Sequence, residues 1–188
     1  MNFEFSADQM QLKDIARKFL EKEDAVKRAR NVLENEESFD ENLWQQIIEM
    51  GFTATAIPEE YGGLGLGYLE LCVIAEELGR SLAPTPFSSS VYLATEAILN
   101  SGDDSLKQNY LPSLANGEKI GSFAHSESNT SPTESNIQCN VSGNALSGKK
   151  IAVVDGDISN FFVVSANNGS NVGLYLVDAS SDGVGIER

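Results

Sequence analysis

Up to Asn116-Gly117 the apolar residues of this chain recur at helical spacing, and beyond it they alternate. Ser6-Ala7-Asp8-Gln9 fits a capping box, in which Ser6 and Gln9 satisfy each other's free backbone donors. Apolar positions then fall at Leu12, Ile15, Ala16, Phe19 and Leu20, which predicts one helix with a single apolar face. A polar stretch from Asn35 to Ser38 breaks the pattern, and Asp40 is placed to cap a second helix carrying Leu43, Trp44, Ile47 and Ile48 before Gly51 ends it. The run Ile57 to Gly65, IPEEYGGLG, predicts a tight irregular turn, because Pro presets φ and Gly accepts conformations that other residues resist. A third helix, from about Gly67 to Leu78, is apolar nearly all round between Leu69 and Ala75, the pattern of a helix covered on several sides. Ala83-Pro84-Thr85-Pro86 bars its continuation. Val91 to Leu99 predicts another helix, Gly102 punctuates, and Asp104 to Tyr110 predicts a short one that Pro112 terminates.

Strands are predicted at Lys119 to His125, Ile137 to Val141, Ala145 to Val154, Ile158 to Ser165 and Val172 to Val177, separated by Ser-Gly-Asn, Asp-Gly-Asp and Asn-Asn-Gly turns. Helices first and strands second give an α+β class, because a doubly wound nucleotide fold would interleave them. The expected organisation is an all-helical domain over residues 1–117, then an incomplete antiparallel, barrel-like β domain over 118–188.

Charge narrows the partners. With 28 acidic against 13 basic residues, a net charge of -15 repels nucleic acid phosphates and anionic lipids, so neither nucleic acid nor membrane is an expected partner. No stretch has the ~18 apolar residues of a membrane span, and the amino terminus lacks a basic segment leading into an apolar run, so a cytoplasmic location is the expectation. Cys72 and Cys139 have neither Cys nor His at metal-ligand spacing, so two reduced thiols and no metal are expected, with Cys72 a small buried hydrophobe.

Candidate chemistry is sparse. Gly63-Leu64-Gly65-Leu66-Gly67 follows no strand and fails the G-x-G-x-x-G spacing, and neither a P-loop nor a G-x-S-x-G nucleophile is present. His125 is the sole histidine, which leaves no histidine-rich metal site, and a strand-end position accounts for it without chemistry. Glu59-Glu60 and Glu76-Glu77 are sequence neighbours that point apart, so each pair reads as solvated or capping charge rather than a facing acid and base. Lys149-Lys150 reads as a solvated turn pair or, alternatively, a phosphate contact.

Four segments in order, FSADQMQLKDIARKFLEK, LWQQIIEMGF, IPEEYGGLGLGYLELCVIAEELGR and YLPSLANGEKIGSFA, resemble the acyl-CoA dehydrogenases, and the resemblance runs from Phe5 to Arg188. It implies FAD as cofactor and α,β-desaturation of an acyl-CoA thioester. Ala124 to Thr133 matches the family's flavin-contacting stretch, A-L-T-E-P-x-A-G-S-D. There Ser126 keeps the family hydroxyl and Glu127 is retained, while Ser131-Pro132 replaces the Gly-Ser pair, and Pro132 has no amide proton to give a phosphate. In the second flavin segment Ala152 replaces an aromatic and Val154 a hydroxyl residue. The K-x-x-V-x-D-G pattern resembles a divergent branch whose members include some acting on sterol side-chain or other bulky thioesters, some of them heteromeric.

By this resemblance Phe123, His125, Ser126, Ser131 and Val154 line the flavin site, and no catalytic base is identified. The family's remaining strands and carboxy-terminal helical bundle, which complete the FAD pocket and in most branches supply the base, have no counterpart in these residues, so the expectation is either a fragment of a longer product or a partner chain that covers the surface left open. The implied partners are an acyl-CoA substrate, an electron-transferring flavoprotein or similar acceptor, and further subunits in a homo- or hetero-oligomer. The leading expectation is a FAD-dependent acyl-CoA dehydrogenase of which these residues alone are inactive. The alternative is a non-catalytic subunit that completes a partner's site, and a weaker third is an acidic binding module without flavin.

Overall fold

A computed structural model describes residues 4–101, 103–129 and 133–188. They form two compact units. One comprises the chain up to Phe87 together with Ser101–Glu118, and the other comprises Ser88–Asn100 together with Lys119–Arg188.

In the helical unit, α1 (Ala7–Lys22) starts at the Ser6 capping box, with both reciprocal hydrogen bonds made. The expected single helix then divides. Asp24 adopts a left-handed φ of 50°, and α2 (Ala25–Glu34) departs in a new direction. Asp40 caps α3 (Glu41–Glu49) by accepting from the Leu43 amide, and its carboxylate also receives Nη1 of Arg28 from α2. After a short 3-10 turn at Glu59–Tyr61 comes α4 (Tyr68–Arg80), which packs on α1. Ala16 and Leu20 meet this core with Leu43, Ile47, Ile57, Val73 and Ile74, all essentially without exposure.

Two expectations fail on α4. Cys72 is exposed, together with Tyr68 and Leu69, rather than a small buried hydrophobe. Glu77 is neither solvated nor capping. Its side chain is 0% exposed and receives Nε and Nη2 of Arg17 at 3.0 and 2.7 Å and Nε of Arg80 at 2.8 Å. Pro112 also lies inside α6 (Asp104–Ala115) instead of ending it. One backbone donor is forgone there, and burial of Leu111, Leu114 and Ala115 holds the last turn in place.

The second unit opens with a π-helical segment, Ser88–Thr95, continuing into α5 (Glu96–Leu99). Its five strands are β1 (Gly121–Ala124), β2 (Asn140–Ser142), β3 (Ala145–Ser147), β4 (Phe161–Asn167) and β5 (Val172–Asp178). The sheet is mixed and open rather than wholly antiparallel: β4 pairs parallel with β1 and β2 and antiparallel with β5, while β2 and β3 pair antiparallel. The chain from β1 to β4 is long enough for the crossover a parallel pair needs, whereas the short links at β2–β3 and β4–β5 allow only hairpins. Gly121 brings β1 against the π-helical segment, since a Cβ there would lie 2.6 Å from that of Ala94 and 2.5 Å from Cζ of Phe161.

Candidate functional site

Along β1 the side chains alternate. Ser122 and Ala124 enter the core, while Phe123 and, just past the strand, His125 stand half-buried on the opposite side with ring centroids 5.8 Å apart. Parallel pairing sets Gly121 beside Phe161 and Phe123 beside Val163, and continuing that register sets His125 beside Ser165.

The strand expected at Ala145–Val154 stops at Ser147, and the following chain turns in toward the end of β1. Gly148 allows this, because a Cβ there would come within 2.8 Å of Cys139 backbone. The Ile151 amide donates to the carbonyl of Ser126 at 2.8 Å, and the Ser122 hydroxyl donates to the carbonyl of Val154. Ala152, between those anchors, and Asp155, just past them, both take left-handed φ, 52° and 54°, so the segment curls. It is fastened further on by Asp155, which accepts from the Ser89 hydroxyl at 2.6 Å and whose carboxyl burial pushes upward in pKa. Phe123 and His125 thus form a strip on one side of β1 and Ser126 follows just past the strand, while the Val154 carbonyl is reached by Ser122 from the other side. Ser126 is half-buried, while the Val154 side chain is 52% exposed and Ala152 is open to solvent. Ser131, with Pro132, lies outside the described residues.

Behind the strip lies a network that sequence reasoning missed. Lys150, with a side chain only 8% exposed, is neither a solvated turn residue nor free for a phosphate: its ammonium donates to Glu127 Oε1 at 2.6 Å, Ser165 Oγ at 3.0 Å and the His125 carbonyl at 3.1 Å. Glu127 also receives the Gln138 and Cys139 amides at 2.7 and 3.0 Å. Burial alone would raise its pKa, but Lys150 and the two amides outweigh this and hold the carboxyl below its ordinary range. A signal was available: Ser165 interrupts the buried run FFVVSA, and a hydroxyl in such a strand requires a partner.

Electrostatically the β unit has little positive charge to spare. Lys149 faces Glu187 at 3.5 Å, Arg188 faces Asp157 at 2.7 Å, Lys150 is spent on Glu127, and the charge of Lys119 is felt by Asp178. Among the described residues no group of His, Cys, Asp and Glu could hold a metal. None of their helices is long and apolar enough to cross a membrane.

A helical unit followed by an open mixed sheet, with a strip of aromatic, imidazole and hydroxyl groups along the first strand, defines an α+β class of protein. The family model of the acyl-CoA dehydrogenase N-terminal domain matches residues 6–118, and the chain belongs to that family. The mitochondrial isovaleryl-CoA dehydrogenase of Arabidopsis thaliana is 31% identical over 181 residues, covering 93% of this chain and 44% of its own length. Among solved structures, the ChsE4-ChsE5 complex from Mycobacterium tuberculosis contains a chain that is 28% identical with a TM-score of 0.85, over 97% of this chain and 50% of that one. The Tcur3481-Tcur3483 steroid ACAD is 31% identical with a TM-score of 0.81, over 94% of this chain and 49% of that one. The chain thus spans about half the length of the relatives it matches.

Proposed function

We propose that this chain is a subunit of a heteromeric, FAD-linked acyl-CoA dehydrogenase, one that contributes its helical unit and one edge of a flavin site and depends on a partner to complete that site. The observation carrying this reading is the half-furnished strip. Phe123 and His125 give a half-buried wall and Ser126 a hydroxyl, whereas Ala152 presents no ring and Val154 no polar atom. These residues fit one flank of a planar heteroaromatic ring, and the other flank has to be built elsewhere.

A flavin held here would supply hydride acceptance, with a base taking the α proton of the thioester. The residues of this chain do the holding. Ser126 offers an O–H to the ring edge, and its carbonyl, bonded to the Ile151 amide, keeps the curling segment in register beside β1. Glu127 is pinned by Lys150 and two amides, so it is unsuited to act as that base. With Lys150 held by Glu127 and Arg188 by Asp157, the β unit offers little cationic charge to a pyrophosphate. Two likenesses support the heteromeric form and a bulky acyl-CoA substrate: one to a chain of the ChsE4-ChsE5 complex and one to a chain of a steroid ACAD. An electron-transferring flavoprotein or similar acceptor would reoxidise the flavin, in the cytoplasm.

Native mass spectrometry of the natural assembly tests the proposal. Two different chains sharing fewer FAD molecules than chains is the expected result. A homomeric assembly with one FAD per chain would replace this reading with the second one, a self-sufficient acyl-CoA dehydrogenase, favoured by the retained Ser126 and Glu127.

A further inference from the structure

We infer that His125 is held as its Nε2–H tautomer by a directed relay from Lys150 through Ser165, and that it serves the strip as a fixed hydrogen-bond donor to an acceptor atom of a planar ligand lying against Phe123. An ammonium has three N–H donors and no acceptor, and the three contacts of Lys150 use all of them. The Ser165 oxygen therefore accepts from Lys150 at 3.0 Å and has its own proton left to give. Ser165 is 1% exposed, so that proton must go to a protein atom, and Nδ1 of His125 stands 2.8 Å away.

Nδ1 thus accepts, and in the neutral imidazole the proton sits on Nε2, which has no partner among the described residues. The ring is half-buried beside Phe123 and cannot turn over without stranding the buried Ser165 hydroxyl. A donor fixed at the margin of an aromatic wall suits a carbonyl oxygen or an unprotonated ring nitrogen of a flat ligand, chemistry that the flavin ring system of the preceding proposal offers. The identity of the ligand rests on that proposal; the tautomer does not. Glu127 and Lys150 act here as positioning residues, since they fix the direction of the relay without reaching the strip.

His125 is the only histidine, so 15N-histidine labelling of the full chain gives one imidazole to assign. At alkaline pH a long-range 15N–1H spectrum should show a protonated Nε2 and a bare Nδ1. Ser165→Ala should move the spectrum toward a mixture of tautomers, and Ser165→Thr, which keeps the hydroxyl, should restore it. A protonated Nδ1 in the wild-type chain would overturn the relay.

In the flavin-loaded assembly, His125→Leu should weaken FAD binding about 5- to 10-fold, the worth of one neutral hydrogen bond. Unchanged affinity there would overturn the donor role. An assembly that carries no flavin would remove the preceding proposal while leaving the spectrum to decide the relay.

Discussion

At the residue scale, buried charge is where this chain concentrates its electrostatic stability. Glu77 sits on α4 with no exposed side-chain surface, and hydrogen bonds from Arg17 lead a set of interactions that lower its pKa from 4.5 to about 2. Folding therefore favours its ionised form. Its contribution is fully present above about pH 5 and is lost as the pH falls toward the folded value. Glu77→Gln should lower stability by about 2 kcal/mol at neutral pH, less than for a fully enclosed pair because Arg17 and Arg80 are 40% and 43% exposed and can rehydrate. Urea titrations at neutral and acid pH measure it. The gap between wild type and variant should narrow as the pH drops, and a gap that widens would refute the assignment. Nothing local in EELGR marks Glu77 as the buried member of its pair. Arg80 is a neighbour on the same helix, but Arg17 lies far back in α1, so only the packing of α1 on α4 adds its charge and closes Glu77 off from solvent.

The elements follow the sequence where their determinants are local. IPEEYGGLG was legible as a tight turn, and its structure gives the reason. The amides of Gly63, Leu64, Gly65 and Leu66 donate to carbonyls of Pro58, Ala54, Ile57 and Thr55, so the segment folds back on its own lead-in. Gly63 is the critical position, since a Cβ there would fall 1.9 Å from the Ile57 carbonyl oxygen. Gly63→Ala should cost more than the ordinary glycine-to-alanine change, about 3 kcal/mol, because both the turn and buried Ile57 must shift. A thermal melt indistinguishable from wild type would show that this loop gives way easily. Where determinants are distant, the expectations missed. Pro112 reads as a stop, yet burial of Leu111 and Leu114 carries α6 past it. The break at Asp24 has no Pro or Gly to announce it.

On the scale of the whole molecule, the helical unit displays a run of exposed apolar side chains: Leu64, Leu66, Tyr68 and Leu69 are 44–61% exposed, and Cys72 is exposed alongside them. Maleimide labelling of the chain should therefore modify Cys72 rapidly and buried Cys139 many times more slowly, with Cys72 protected in the natural assembly. Equal rates at both thiols would contradict the burial pattern. Segregation of helices from strands, the capping box at Ser6 and the acyl-CoA dehydrogenase relationship were set by the sequence alone, because periodicity, caps and ordered motifs depend on neighbours along the chain. The surroundings of β1 were only partly legible: the family motif drew attention to Phe123, His125, Ser126 and Val154, but not to the Lys150–Ser165–His125 hydrogen bonds. Only the tertiary structure decided that relay, the mixed pairing of β4, the burial of Glu77 and the exposure of Cys72. Each depends on which distant segment lies alongside, and solvent exclusion by a distant segment leaves no local trace in the order of residues.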